Sequence, residues 1–184
     1  MRNARTLVLG VGNILLSDEG AGVHAMQYLQ QHEAMAPPAE FREVCFLDAG
    51  TLSFTLAADI ELASRLIVFD AAQLNAAPGH VRSFVGEDMD RFLTFGQRSV
   101  HEVGLADLMD ITRLTGHLPQ NRALIGIQPE VLGWGEQPAD AVMAALPVAA
   151  EMALALMRSW LPPREPARDQ QGRPGDGNGR AAPL

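Results

Sequence analysis

Lysine is absent from the 184-residue chain, cysteine and tyrosine occur once each, and aromatic residues make up only 5% of it. The lone Cys45 excludes an intramolecular disulfide and a cysteine-rich zinc site. No uninterrupted apolar run approaches the length of a membrane span, so none is expected. Met1 to Arg5 lead directly into an apolar strand, which leaves no room for the apolar region of a signal peptide. A cytoplasmic protein is expected on that ground. Positive charge is short as well: fourteen arginines stand against twenty-two acids, a net charge of −8. Residues 161–184 hold four of those arginines and three acids, so the body before them carries ten arginines against nineteen acids. An acidic body argues against a nucleic-acid partner, because phosphate binding needs a basic face. It tolerates a bound metal or a basic peptide, and solubility alone would also account for it.

One further absence is informative. Leu7-Val8-Leu9 reads as a buried strand, and Gly10 and Gly12 follow it as a tight turn that lets backbone approach closely. A dinucleotide fingerprint would need glycine at position 15, where Leu15 stands. Asp18 and Glu19 would also place negative charge where a pyrophosphate must sit. A cation-binding or proton-handling site fits better. Ser17 fits an N-cap, with Asp18 and Glu19 as the acids of the first helical turn, and helix-start acids of this kind are common without any function.

The helix expected from about Asp18 to Gln31 sets Gly22, Ala25, Met26 and Leu29 on one face, with His24 and His32 on the outside. Met35 to Ala39 reads as a linker, and Glu40 to Leu47 as a second strand that ends at Asp48-Ala49-Gly50-Thr51. Asp48 suits a turn or cap for the segment Leu52 to Asp59 as well as it suits chemistry. Leu66 to Phe69 is the most apolar strand, closed by Asp70, and a carboxylate at such a strand end meets little competing polar surface. His80 to Val85 is a further strand closed by Gly86-Glu87-Asp88. Ser99 to Glu102 fits a capping box, opening a helix through Leu105, Leu108 and Met109 to about Leu114. His101 falls in its first turn, where the positive helix end favours the neutral imidazole that a metal needs. Ala123 to Ile127 is another buried strand.

From about Pro138 to Trp160 the pattern is helical, with Val142, Ala145, Leu146, Ala149, Ala153, Leu156, Met157 and Trp160 as its stripe. Pro147 should kink this helix or open its main part. Beyond Leu161 the chain turns to proline, glycine, arginine and glutamine without apolar anchors, and disorder is expected there.

This order predicts one α/β domain over residues 1–160, with a tail over 161–184. The expected architecture is three-layered: a mostly parallel twisted sheet flanked by helices, with room for one antiparallel edge strand. In it Glu19, Asp70 and His101 can converge at one sheet edge as an O,O,N donor set suited to a first-row divalent metal. On spacing alone, three independent polar residues at element ends is the plainer reading.

The segments Gly10 to Gly22, Asp48 to Thr51, Leu66 to Ala71, His101 to Asp107 and Gly126 to Glu130, in this order, resemble the hydrogenase maturation proteases. These endopeptidases trim the C-terminus of nickel–iron hydrogenase large subunits. The resemblance covers roughly residues 5–160. It implies that Glu19, Asp70 and His101 are metal-binding residues. The activity-linked Asp-Gly-Gly-Thr-like segment falls on Asp48 to Thr51, with Ala49 in place of one glycine. It further implies a nickel-loaded large-subunit precursor as substrate, cut after a His or Arg, with nickel carried by the substrate as the recognition element. Metal-assisted hydrolysis without a covalent intermediate is expected, and Asp48 is the catalytic candidate, as general base, in the other scheme. Cys45, inside a strand, is expected to be packed rather than reactive. A non-catalytic nickel-checking chaperone is the alternative function. The chain is expected to be a monomer without nucleic-acid or membrane partners.

Overall fold

The computed structural model describes residues 5–32, 37, 43–95 and 100–161, with the side chains of 100–103 outside that set. Five strands form one sheet: β1 (Thr6–Val11), β2 (Val44–Gly50), β3 (Arg65–Ala71), β4 (Val81–Val85) and β5 (Asn121–Ile127). Among the described residues five helices accompany them: α1 (Ala21–Gln31), α2 (Leu56–Leu62), α3 (Glu87–Phe95), α4 (Val100–Leu114) and α5 (Asp140–Ser159). The sheet order is β2-β1-β3-β5-β4, parallel except for β4, which runs antiparallel to β5 at one edge. The three-layer, mostly parallel sheet with one antiparallel edge strand is therefore the observed fold.

Strand alternation divides the core into two layers. Val8, Ile67, Phe69, Ile125 and Ile127 point to the layer made with α1 and α5. Leu7, Leu9, Leu66, Val68 and Leu124 point to the layer made with α2, α3 and α4. Because both faces are covered, the central strands read as continuous apolar runs, as parallel strands must.

Several sequence expectations need correction. Helix α3 follows β4 directly where only a closing turn was expected. Acids Glu87, Asp88 and Asp90 open it, and Met89 and Leu93, one turn apart, bury its inner face. Strand β2 runs on through Asp48 to Gly50 rather than ending at Leu47. Helix α5 starts at Asp140 and continues through Pro147 instead of opening there. The carbonyl that Pro147 leaves without an intrahelical donor belongs to Met143, a surface residue where water can replace it. By length and composition alone α5 meets the measure of a membrane span. Its apolar character has a use inside the fold, since Val142, Ala149, Ala153 and Met157 are buried against the sheet layer. His24 is half-buried rather than solvated, and burial pulls its imidazole below the ordinary value. Most of the 35–39 linker, Ser99 of the capping box, and the tail beyond Leu161 lie outside the described residues.

Candidate active site

In this sheet β1 connects outward to β2, and the chain then returns to place β3 on the other side of β1. The ends of β1 and β3 therefore diverge at a topological switch point, the position where open α/β sheets form their binding crevice. Three glycines let the next segment close over that point. A Cβ at Gly22 would lie 2.2 Å from the Phe69 carbonyl oxygen and 2.4 Å from that of Val11. A Cβ at Gly12, whose φ is +127°, would lie 1.9 Å from the Glu19 carbonyl oxygen. At Gly10 it would fall 2.7 Å from the Val23 Cα. Only bare backbone lets α1 and the short 3-10 turn before it (Asp18–Gly20) press onto the ends of β1 and β3.

Asp70 occupies the end of β3 and is fully buried. By alternation it lies on the face of Leu66 and Val68, the face that α4 covers. Glu19 is half-buried in the 3-10 turn that packs against β3. His101 lies in the first turn of α4, and its side chain is outside the described set. The start of α4 rests on the loop after β2: a Cβ at Gly104 would sit 3.5 Å from Leu52 Cδ1. Leu52, Ser53, Phe54, Gly104 and Leu108 line a cavity of about 100 Å³ there. Glu19, Asp70 and the first turn of α4 thus belong to one end of the sheet. Among the described residues, no three His, Cys, Asp or Glu side chains form a metal-sized cluster.

Asp48 has a different setting. It is exposed, and its Oδ1 accepts the Gly50 amide at 2.9 Å, a local turn that also places Gly50 at φ +50° and Leu52 at φ +67°. Alternation from Cys45 and Leu47 puts Asp48 on the α1 side of the sheet, opposite to Asp70. The Gly50 carbonyl accepts the Gly12 amide at 2.8 Å, which ties this turn to the β1 loop. Cys45 pairs with Leu7 within β2, five residues short of the strand's site end at Gly50.

By sequence Asp18 fits a helix-start acid and Ser17 its cap. The structure gives both another task. Asp18 is fully buried, and its carboxylate accepts three backbone amides: Glu130 at 2.8 Å, Val131 at 2.7 Å and Ala139 at 2.6 Å. Ser17 caps nothing; its Oγ donates to the Gln137 carbonyl at 3.1 Å, and its backbone sits at φ 51°, ψ −119°. Such a conformation costs on the order of 1–3 kcal/mol in a residue with a side chain, and the surrounding bonds hold it. The Asp18 clasp therefore fixes the β5–α5 loop beside Glu19 and meets the positive N-terminal end of α5. Gln128 holds the other side of that loop: its Oε1 accepts the Leu74 amide at 2.8 Å and its Nε2 donates to Gln73 Oε1 at 3.0 Å. No local pattern signals either clasp.

The family model for hydrogenase maturation proteases matches residues 23–156, which takes in Asp48, Asp70 and His101 but begins after Glu19. The hydrogenase expression/formation protein HoxM of Cupriavidus necator is 36% identical over 155 residues, 84% of this chain and 74% of that protein. The hydrogenase 2 maturation protease of Escherichia coli is 36% identical over 155 residues, 84% of this chain and 91% of that protein. Among solved structures, the hydrogenase maturating endopeptidase HybD of E. coli aligns with a TM-score of 0.76 at 36% identity, covering 84% of this chain and 93% of that one. HybD of Thermococcus kodakarensis, a NiFe hydrogenase maturation protease, aligns at 0.68 with 31% identity, covering 83% and 99%.

Proposed function

Because the chain belongs to the hydrogenase maturation protease family, we propose that it is the endopeptidase that removes a short C-terminal peptide from a nickel-loaded hydrogenase large-subunit precursor. Its enzyme class, a protease of hydrogenase maturation, follows from the family itself. The observation that carries the finer reading is Asp70: a fully buried carboxylate at the end of a fully apolar strand, at the switch point of the sheet. Burying a carboxylate in such a place is costly unless it serves a cation or a hydrogen-bonding group.

On this reading Glu19, Asp70 and His101 meet the nickel that the precursor brings, two oxygens and one imidazole nitrogen suited to a first-row divalent ion. The metal is cargo of the substrate, and the protease supplies donors that recognise it. Hydrolysis then adds water to the scissile carbonyl carbon, and the C–N bond breaks as the departing amine takes up a proton. Two routes to the attacking water use the same residues. In one, the nickel polarises the carbonyl or the water. In the other, it only positions the peptide and a carboxylate such as Asp48 takes the proton. The commitment of Asp48 Oδ1 to Gly50, and its place on the face opposite Asp70, favour the first route. Asp48 then serves mainly to shape the turn that meets the Gly12 amide.

The test is processing of a purified nickel-loaded precursor, read by intact mass. Wild type should release a discrete C-terminal peptide. Glu19→Ala, Asp70→Ala and His101→Ala, each folded by circular dichroism, should lose processing by at least a hundredfold. Binding of the loaded precursor with no change in its mass would point instead to a nickel-checking chaperone. Normal cutting by the three variants would move the site elsewhere.

A further inference from the structure

We propose that Ile14, Leu15, Val131, Leu132 and Trp134 form a docking platform that seats an apolar, basic segment of the precursor beside the active site, an inference that rests on the protease reading above. These five large apolar side chains sit on two adjoining loops and are 42%, 49%, 49%, 71% and 88% exposed, respectively. Isolated exposed apolar residues are ordinary on a protein surface, whereas a contiguous group marks a contact site. The backbone beneath them is built rather than slack. Ser17 N–H donates to the Gly135 carbonyl at 2.6 Å, Gly135 N–H to that of Leu15 at 3.0 Å, and Asp18 N–H to that of Val131 at 3.3 Å. With the Asp18 carboxylate bound to the Glu130, Val131 and Ala139 amides, the loops are pinned and hold their apolar tips outward. Rigid presentation lowers the ordering cost of binding, and an exposed tryptophan is the side chain most enriched among binding hot spots.

Two features select the occupant. The platform is continuous with the site, since Glu19 directly follows the clasp residue Asp18. Its surroundings are also acidic: Glu130 and Glu136 lie on the second loop, Glu19 and Asp140 in the 3-10 turn and the helix start that follow the two loops, and no arginine occurs between Arg5 and Arg42 or between Arg122 and Arg158. A polypeptide combining apolar with basic side chains complements that surface. A second copy would bring acid against acid in a chain of net charge −8, and an anionic lipid surface would be repelled in the same way.

The experiment uses the Trp160→Phe background, in which Trp134 is the sole tryptophan. Titration with purified hydrogenase large-subunit precursor should shift Trp134 emission to shorter wavelength. In the full chain, Leu132→Ser and Trp134→Ala should each raise the Kd for the precursor at least tenfold. They should raise KM for processing in step while leaving kcat within about twofold. Unchanged Trp134 emission at saturation, Kd values within twofold of wild type, or no binding by wild type would overturn the platform. So would dimerisation abolished by Leu132→Ser, or binding to anionic vesicles that the same change removes. Cleavage is scored separately by intact mass. A wild type that binds through Trp134 without cutting would overturn the protease reading and leave the platform standing.

Discussion

Replacing Asp18 is the most direct probe of how this site is held. The Asp18→Ala variant removes one carboxylate and leaves three amide donors, those of Glu130, Val131 and Ala139, without their acceptor. A hydrogen bond to a charged group contributes about 1.5–3 kcal/mol, so the gross loss is on the order of 5–9 kcal/mol. Glu130 and Val131 are surface residues, and water can reach their amides once the loop relaxes. A net loss of about 3–5 kcal/mol is expected, typical of removing one partner from a buried charged arrangement. For a chain of this size that lowers Tm by roughly 6–20 °C. The Asp18→Asn variant keeps the shape and one acceptor oxygen, which can serve the Glu130 and Val131 amides together. Its NH2 group must then face the Ala139 N–H, donor against donor, and an intermediate loss of about 2–3 kcal/mol follows. Urea unfolding should order the proteins wild type, Asn, Ala. Amide exchange supplies the local readout: Glu130, Val131 and Ala139 should be protected in wild type despite their position in a surface loop, all three should exchange quickly in Asp18→Ala, and chiefly Ala139 should do so in Asp18→Asn. A loss below about 1 kcal/mol for Asp18→Ala, or exchange at those three amides unchanged, would refute the clasp.

Other consequences can be checked with standard measurements. Gly22→Ala should destabilise the fold by about 3 kcal/mol or more, measured by urea unfolding, because its Cβ meets two backbone carbonyls rather than a side chain that can move. Asp90 is half-buried; burial alone would raise its carboxyl, but the bonds and charge of Arg122, with those of Arg113, hold it below the ordinary 3.8. Its stabilisation is therefore complete above that value and drains as pH falls through the lower folded one, so Asp90→Asn should flatten the acid limb of stability against pH. His24 is shifted down from 6.5 by burial, so the folded state resists its protonation. Stability should decline as pH falls below 6.5 toward the folded value, and His24→Gln should remove that slope in urea midpoints measured from pH 7.5 to 5.

Much of this fold was legible because its signals are local. The apolar runs at Leu7 to Leu9, Leu66 to Phe69 and Ala123 to Ile127 each became a buried strand, since strands covered on both faces need nothing else in sequence. The α1 face of Gly22, Ala25, Met26 and Leu29 was readable from spacing. Helix α3 was readable in principle, from its opening acids and the one-turn spacing of Met89 and Leu93, but Gly86-Glu87-Asp88 also resembles a strand-closing turn. What sequence could not reveal is non-local. The bonds of Asp18 reach 112, 113 and 121 residues along the chain, and no periodicity encodes them. The placement of Asp48 opposite Asp70 depends on the β1–β2 register, which shifts after Gly10.

That reach of the Asp18 clasp also sets an order of events during folding. Local contacts form early and cheaply, whereas a bond across more than a hundred residues must wait for its chain closure to be repaid by other contacts. The β1 turn, with Glu19 already on it, leaves the ribosome more than a hundred residues before the loop it will clasp. The loop that carries Trp134 can be clasped only after β5 has joined β3 and α5 has begun to dock. A nascent or partly folded chain therefore holds acidic residues of the site without the surface proposed to engage a precursor. On that order the surface proposed to bind the precursor is completed late, only once β5 and α5 are in place to hold its loop.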